Sequence, residues 1–208
     1  MGNYQSYREL KENQTPGKDY QIRIRFGKSG IAVMAPHGGG IEPGTTEIAE
    51  AVAGHEHTFY AFSGVKTRGN SILHITSSRF DEPEGIAIAR NSKAILTIHG
   101  CRGQKKIVHL GGRDRRFKAK IKKALLEADF SVGETDGLPG ENPHNLCNRS
   151  SSQAGVQLEI SCGLRAEFFP DHPCRHPRSP GPRFRQFVDA LRKALSLHTG
   201  DLDKAQPM

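Results

Sequence analysis

Short apolar, β-rich runs alternate with amphipathic segments along this chain of 208 residues. Residues 94–98 are almost wholly apolar, which is typical of a buried strand. Residues 156–161 instead alternate Val156, Leu158 and Ile160 with polar side chains, as a strand with two unlike faces does. The alternation of such runs with helical segments predicts an α/β fold: a single domain with a mixed, largely parallel open sheet flanked by helices.

The other elements are predicted from the same two periodicities and from capping residues. Strands are expected at residues 20–26, 31–35, 58–62, 71–75, 94–98, 107–110 and 156–161. Helices are expected at residues 46–53, 81–91, 113–128 and 183–197. Asp81 and Glu84 form a capping-box pattern at the start of the second helix. Residues 170–182 are rich in proline, which predicts a loop.

The charge of the chain is positive and unevenly distributed. There are 30 Lys and Arg against 22 Asp and Glu, a net charge of +8. Residues 102–123 hold ten of the basic residues and one acid, whereas residues 41–60 hold four acids and no Lys or Arg. This asymmetry suggests a polyanionic partner, and it leaves nucleic acid open as one alternative.

The chain has no apolar stretch of signal-peptide type near Met1 and none that approaches the length of a membrane span. We therefore expect synthesis in the cytoplasm without a signal peptide, and no membrane partner. The length favours one catalytic domain. Its expected limits are residues 1–208, with an N-terminal extension at 1–15 and a flexible tail at 198–208.

Polar side chains lie at the ends of three of the strand-like runs. His37 is followed by three glycines and then by Glu42, His99 is followed by Gly100, and Glu159 lies within 156–161. Ligand sites of α/β sheets lie at the carboxyl ends of strands, so these side chains are expected to converge. Two histidines and one carboxylate form a candidate His₂Glu zinc set with an open position for water. The alternative is that each histidine is a structural or surface residue, as most are.

Beyond these residues, the chain resembles the phage poly-γ-glutamate hydrolase family over residues 4–195. The resemblance rests on six segments in consistent order: Tyr7–Arg23, His37–Glu47, Leu73–Ser77 with Phe80–Pro83, His99-Gly100, Asn148-Arg149 and Leu158–Ser161. The family is similar in fold to the zinc carboxypeptidases. One difference is that the first ligand pair is spaced HxxxxE, where carboxypeptidases have HxxE.

The resemblance implies a role for each candidate residue. His37, Glu42 and His99 would bind Zn²⁺, and Glu159 would be the general base. The Asn148-Arg149 pair matches one that holds a substrate carboxylate in carboxypeptidase-like enzymes. Two further substrate-binding candidates are His74, for which a polar strand face is the alternative, and Arg165, for which a solvated surface position is the alternative.

Together with these residues, the resemblance implies a zinc metallohydrolase of peptidase type that cleaves γ-glutamyl amide bonds in poly-γ-glutamate or a similar anionic polymer. The basic charge is then interpreted as attraction for a carboxylate polymer around the site. Two alternatives remain at this point: a basic nucleic-acid-binding protein, and an inactive member of the family. The resemblance to a phage enzyme also implies release by lysis.

Overall fold

The computed structural model describes residues 4–134, 140–170 and 180–204. Its centre is a seven-stranded mixed sheet. The strands are β1 (Tyr20–Arg25), β2 (Ile31–Gly39), β3 (Thr58–Gly64), β4 (Ala94–Cys101), β5 (Ile107–Gly111), β6 (Ser131–Glu134) and β7 (Val156–Ser161). The helices are α1 (Tyr7–Asn13), α2 (Thr45–Ala53), α3 (Pro83–Asn91), α4 (Arg115–Glu127), α5 (Cys162–Phe168) and α6 (Pro182–Lys204).

The strand order is β1-β3-β2-β4-β7-β5-β6. The four neighbouring pairs β3–β2, β2–β4, β4–β7 and β5–β6 are parallel, whereas β1–β3 and β7–β5 are antiparallel. This confirms the predicted single-domain α/β fold with a mixed, largely parallel sheet. The ends of β2, β4 and β7 that follow their apolar runs meet at one edge, as the strand-end argument requires.

The sheet has a different hydrophobic core on each face. On one face, Leu96, Ile98, Leu158 and Ile160 are buried with apolar residues of α2, α4, α5 and α6. The other face has a smaller core, to which α1, α3 and the chain around Leu73 contribute. Because successive side chains of a strand point to opposite faces, His99 and Glu159 lie on the second face.

The prediction of a strand over residues 71–75 was wrong. Residues Asn70–Leu73 form one turn of 3₁₀ helix instead. The Asn70 side chain closes the preceding turn, since it accepts a hydrogen bond from Lys66 N at 3.0 Å and donates one to Lys66 O at 2.8 Å. Leu73 and Ile75 are buried in the second core, so their apolar spacing reflects core packing rather than sheet pairing.

The predicted cap of α3 was also wrong by one residue. Glu82 is the N-cap, and its carboxylate accepts hydrogen bonds from the backbone N–H groups of Glu84 and Gly85. Pro83 at the first helical position is compatible with this start because it has no N–H to satisfy. Asp81 accepts a hydrogen bond from Tyr7 N, and this contact connects α1 to the start of α3.

The basic helix α4 lies on the face opposite His99 and Glu159. Phe117, Ile121 and Leu125 are fully buried in the first core, as the periodicity predicts. The helix begins beside Gly155, at the amino end of β7, where Asp114 N donates to Gly155 O at 3.1 Å. The cations of α4 therefore do not surround the carboxyl ends of β2, β4 and β7, contrary to the expectation that this charge is placed around the site.

The last helix is longer than predicted. The periodicity indicates residues 183–197, but α6 continues to Lys204. Thr199 Oγ1 donates to Leu195 O, and Lys120 Nζ donates to Leu197 O, so contacts continue beyond residue 197. Most of the proline-rich segment at 170–182 lies outside the described residues. No helix in the described parts of the chain is both long and apolar enough to cross a membrane.

Candidate active site

His37 reaches the site because strand β2 is irregular at its carboxyl end. The register of β2 against β3 shifts between Ala35 and Gly38. A Cβ atom on Gly38 would lie 2.2 Å from Thr46 Oγ1, and Gly39 has a positive φ of 60°. Gly38 and Gly39 are thus explained by close packing of the chain on α2 and β3, which only glycine permits.

Glu42 is folded back onto His37 by the loop that follows the glycines. Glu42 N donates to His37 O at 2.9 Å, and Glu42 Oε1 lies 3.2 Å from His37 Nδ1. The second carboxylate oxygen accepts a hydrogen bond from Gly100 N at 2.8 Å. One side chain therefore connects the end of β2 with the end of β4.

His37 and His99 present ring nitrogens to the same point. Their Nδ1 atoms are 3.1 Å apart, and both rings are almost fully buried. His37 Nε2 lies 2.7 Å from Ile75 O, so in the neutral ring the proton resides there and the Nδ1 lone pair faces Glu42 and His99. A backbone carbonyl that orients an imidazole in this way is typical of metal-binding histidines.

The donor set fits a metal ion. His37, Glu42 and His99 each offer one ligand atom, and these atoms all lie within 4.8 Å of one another. In the described structure His99 Nε2 is buried without a hydrogen-bond partner. Two imidazoles and one carboxylate are a ligand set of catalytic zinc sites.

The charges of this cluster favour an ionised Glu42. Its burial works to raise the pKa, but the charge of His37 and hydrogen bonds to His37 and His99 outweigh burial and hold the pKa well below its ordinary value. Burial disfavours a charged His99, but the hydrogen bond to Glu42 and the charge of Glu159 together raise the pKa of His99. A carboxylate ready to bind a cation is the result.

His74 lies directly on this cluster. Its ring stacks on that of His37 with 3.9 Å between centroids, and its Nε2 is 3.7 Å from Glu42 Oε1. Burial, reinforced by the charge of His37, lowers the pKa of His74 to about 4, so the ring is neutral near pH 7. About a third of the side chain is exposed to the cavity described below. The 3₁₀ turn, rather than a strand, brings it there.

Glu159 faces the cluster from the neighbouring strand. Its Cα pairs in register with that of His99 on the parallel strand β4, which places both side chains on one face. Burial, and then the charge of Glu42, raise the pKa of Glu159, while His99, His37 and His109 act in the opposite direction. The alternation of 156–161 correctly predicts which side chains share its face.

These side chains line a cavity of about 460 Å³. Several of its polar residues were not predicted from the sequence. They are Thr76, Ser77, Ser78, Arg102, Asn142, Asn145 and Gln157. Arg102 provides the one guanidinium or ammonium group among the described lining residues, and it follows His99 by three positions in the basic run that begins at residue 102. The others lie mainly in loops, where no periodicity marks them.

Arg149 and Asn148 do not line this cavity in the described structure. The Arg149 guanidinium donates to the carbonyl oxygens of Ser78, Phe80 and His144 at 3.2, 3.0 and 2.8 Å. The Asn148 side chain is buried, donates to Gly140 O and Asn142 O, and accepts from Gly155 N and Arg113 N. Both side chains hold the loops that form the cavity wall.

Arg165 braces the metal-binding loops from behind. It is buried, so the solvated position considered for it is wrong. Its guanidinium donates to Ile160 O, Pro43 O and Cys101 O at 3.1, 2.7 and 3.1 Å. It thereby links the loop after Glu42 with the ends of two strands.

Comparison with known proteins adds a family and a fold. Residues 4–190 match the family model described as poly-gamma-glutamate hydrolase. YndL of Bacillus subtilis strain 168, a UPF0714 protein, is 36% identical over 196 residues, which cover 92% of this chain and 77% of YndL. The prophage-derived UPF0714 protein YoqZ of the same strain is 39% identical over 169 residues, covering 80% of this chain and 61% of YoqZ.

Two solved structures are similar over nearly their whole length. A bacteriophage poly-gamma-glutamate hydrolase has a TM-score of 0.92 and 29% identity, and the match covers 96% of this chain and 99% of that one. A structure of YndL described as apo and zinc-free has a TM-score of 0.89 and 32% identity, covering 94% and 98%.

Proposed function

Because the chain belongs to the poly-γ-glutamate hydrolase family, we propose that it is a zinc-dependent hydrolase that cleaves γ-glutamyl amide bonds in poly-γ-glutamate or a similar anionic polymer. One observation carries the proposal: His37, Glu42 and His99 converge from two strand ends, and Glu159 lies beside them on the next strand. The zinc-free description of the YndL structure supports zinc as the metal.

In this proposal, His37, Glu42 and His99 are the protein ligands of the zinc ion. When bound, zinc supplies Lewis-acid polarisation of the amide carbonyl and a water molecule of lowered pKa. The residues around the ligands hold them for this role. Gly100 N and Arg165 fix the Glu42 loop against β4, and Ile75 O fixes the tautomer of His37.

Glu159 is the proposed general base. Its carboxylate accepts a proton from the attacking water and then delivers that proton to the nitrogen of the leaving γ-glutamyl unit. Burial raises its pKa toward the operating pH, where a group that first accepts and then donates a proton is most effective. We assign substrate binding to His74 and Arg102, which both line the cavity; the Arg102 guanidinium would pair with a carboxylate of the polymer.

The decisive experiment combines metal analysis with a polymer assay. Wild-type protein is expected to bind about one zinc per chain and to shorten poly-γ-glutamate, as followed by size-exclusion chromatography. His99→Gln should lose both properties while remaining folded. His55→Gln is the matched control, because His55 is exposed and lies outside the cluster.

Two results would contradict the proposal. Zinc-loaded wild-type protein that leaves the polymer length unchanged would exclude the substrate and would favour an inactive family member. Full hydrolysis in the presence of a chelator that has removed all metal would exclude the role of zinc.

A further inference from the structure

A second cavity, of about 580 Å³, is lined by three arginines. Arg90 comes from the last turn of α3, Arg113 follows β5, and Arg149 follows the short 3₁₀ turn at Leu146–Asn148. No acidic side chain and no Phe, Tyr or Trp is among the described residues that line it. The described lining of the cavity is therefore a concentrated positive region.

The three arginines differ in what they contact. The guanidinium of Arg149 is half-buried and held by three backbone carbonyls. Arg90 and Arg113 are exposed, and within the described ranges their side chains have no hydrogen-bond or ion-pair partner. Burial and then the charge of Arg90 lower the pKa of Arg149, while Asp81 acts against both. Cations held this close gain free energy when an anion lies between them.

This cavity borders the segment of residues 141–145, which also lines the active-site cavity. Its wall includes Pro143 and His144, while Glu141, Asn142 and Asn145 of the same segment line the active-site cavity. Asn148 Oδ1 accepts a hydrogen bond from Gly155 N. Gly155 precedes Glu159 by four residues of extended chain. At the rise of a β-strand, the Cα atoms of these two residues are about 13 Å apart.

We propose that this arginine cavity is an accessory substrate site that binds side-chain carboxylates of the polymer at units remote from the bond being cleaved. A guanidinium fork pairs with both oxygens of a carboxylate, and Arg90 and Arg113 have their forks free for this contact in the described structure. Since a polycarboxylate carries one such group per unit, a single chain can occupy both cavities. The inference rests on the proposed function for the identity of the polymer.

The test compares two double variants that remove equal charge. Arg90→Ser with Arg113→Ser should raise the KM for long poly-γ-glutamate about tenfold and leave kcat within about twofold, because the contacts are remote from the reacting bond. Arg115→Ser with Arg116→Ser, at the exposed start of α4, is the matched control and should change KM by less than about twofold. Thermal unfolding checks that both variants remain folded.

A binding measurement separates this inference from the proposed function. Labelled poly-γ-glutamate and a DNA duplex of similar total charge are titrated against each protein in the presence of a chelator. The readout is the binding affinity, which can be measured whether or not the protein hydrolyses the polymer. If the Arg90/Arg113 variant binds the polymer more weakly than the wild type does but binds DNA equally well, the result supports the accessory site. This holds even if the wild type proves inactive as a hydrolase. Equal losses in the two double variants, or an equal loss for DNA, would overturn it.

Discussion

Neighbouring residues of β7 illustrate how differently the two faces of the sheet are used. Leu158 points into the core formed with the helices, whereas Glu159 points into the cavity with the histidine cluster. Both are buried, yet one environment is apolar and the other is lined by ionisable groups. The comparison teaches that burial alone does not separate packing from chemistry in this molecule. The face on which a side chain lies does.

The largest expected effect is on the cavity face. Glu159→Gln keeps the size of the side chain but removes the proton acceptor, so hydrolysis of poly-γ-glutamate should fall by about 10²–10⁴-fold. The melting temperature should stay the same or rise, because burial raises the pKa of this carboxyl and its ionised form is disfavoured in the fold. Steady-state assays and calorimetry provide the two measurements. A variant with wild-type activity would remove Glu159 from the mechanism.

The adjacent residue should show the opposite pattern. Leu158→Ala leaves a hole in a fully buried apolar core and should lower the free energy of unfolding by about 2–5 kcal/mol. The molecules that remain folded should keep most of their activity, since Leu158 does not face the cavity. Denaturant titration measures the first effect, and an assay well below the melting temperature measures the second. Comparable loss of activity in both variants would break the distinction between the faces.

A smaller effect is expected from His198, a histidine of α6 that lies on the face of the sheet opposite Glu159. His198 stacks on Phe117 with 4.1 Å between centroids, and both of its ring nitrogens are buried without hydrogen-bond partners in the described structure. Burial lowers its pKa below the ordinary value, and Lys120 acts in the same direction, whereas Asp114 and Asp201 oppose them. Unlike His37 and His99, this histidine belongs to no cluster of three metal-ligand side chains within the described residues, and Asp114 Oδ2 lies 3.7 Å from its Nε2.

The pH dependence of stability follows from that shift. Below about pH 6.5 the unfolded chain binds a proton at this residue more readily than the folded protein does, so stability falls as the pH falls through the window down to the lowered folded-state pKa. His198→Gln should therefore lose less stability than the wild type between pH 7 and pH 5. Denaturant titrations at both pH values test this, with His55→Gln as the exposed control. Equal losses in the wild type and both variants would refute it.

Much of the fold could be predicted because its signals are local. The alternation at 156–161 predicts both a strand and the face on which Glu159 lies, and the spacing of Phe117, Ile121 and Leu125 predicts the buried side of α4. The prediction failed at residues 71–75, where a 3₁₀ turn carries the same apolar residues. There a contact between Asn70 and Lys66 determines the backbone, and apolar periodicity carries no trace of it.

For the candidate site, the sequence identified the residue types but not all of their positions. His37, Glu42 and His99 were predicted together, and the structure brings them together. Arg149 was predicted to bind substrate, and that role stays a prediction; its guanidinium is held by three carbonyls at the wall of the second cavity rather than beside the histidine cluster. Whether an arginine faces substrate depends on which loop it meets, and that loop is distant in sequence.

By itself, the sequence determined the α/β class, the strand-end histidines and the buried faces of α4 and β7, because hydrophobic period and glycine content act over a few neighbouring residues. Only the tertiary structure decided that the basic helix lies away from the cavity and that Arg90, Arg113 and Arg149 share a second one. Those relations arise from strand order and from contacts between loops more than 20 residues apart. They depend on long-range packing, which no local pattern encodes.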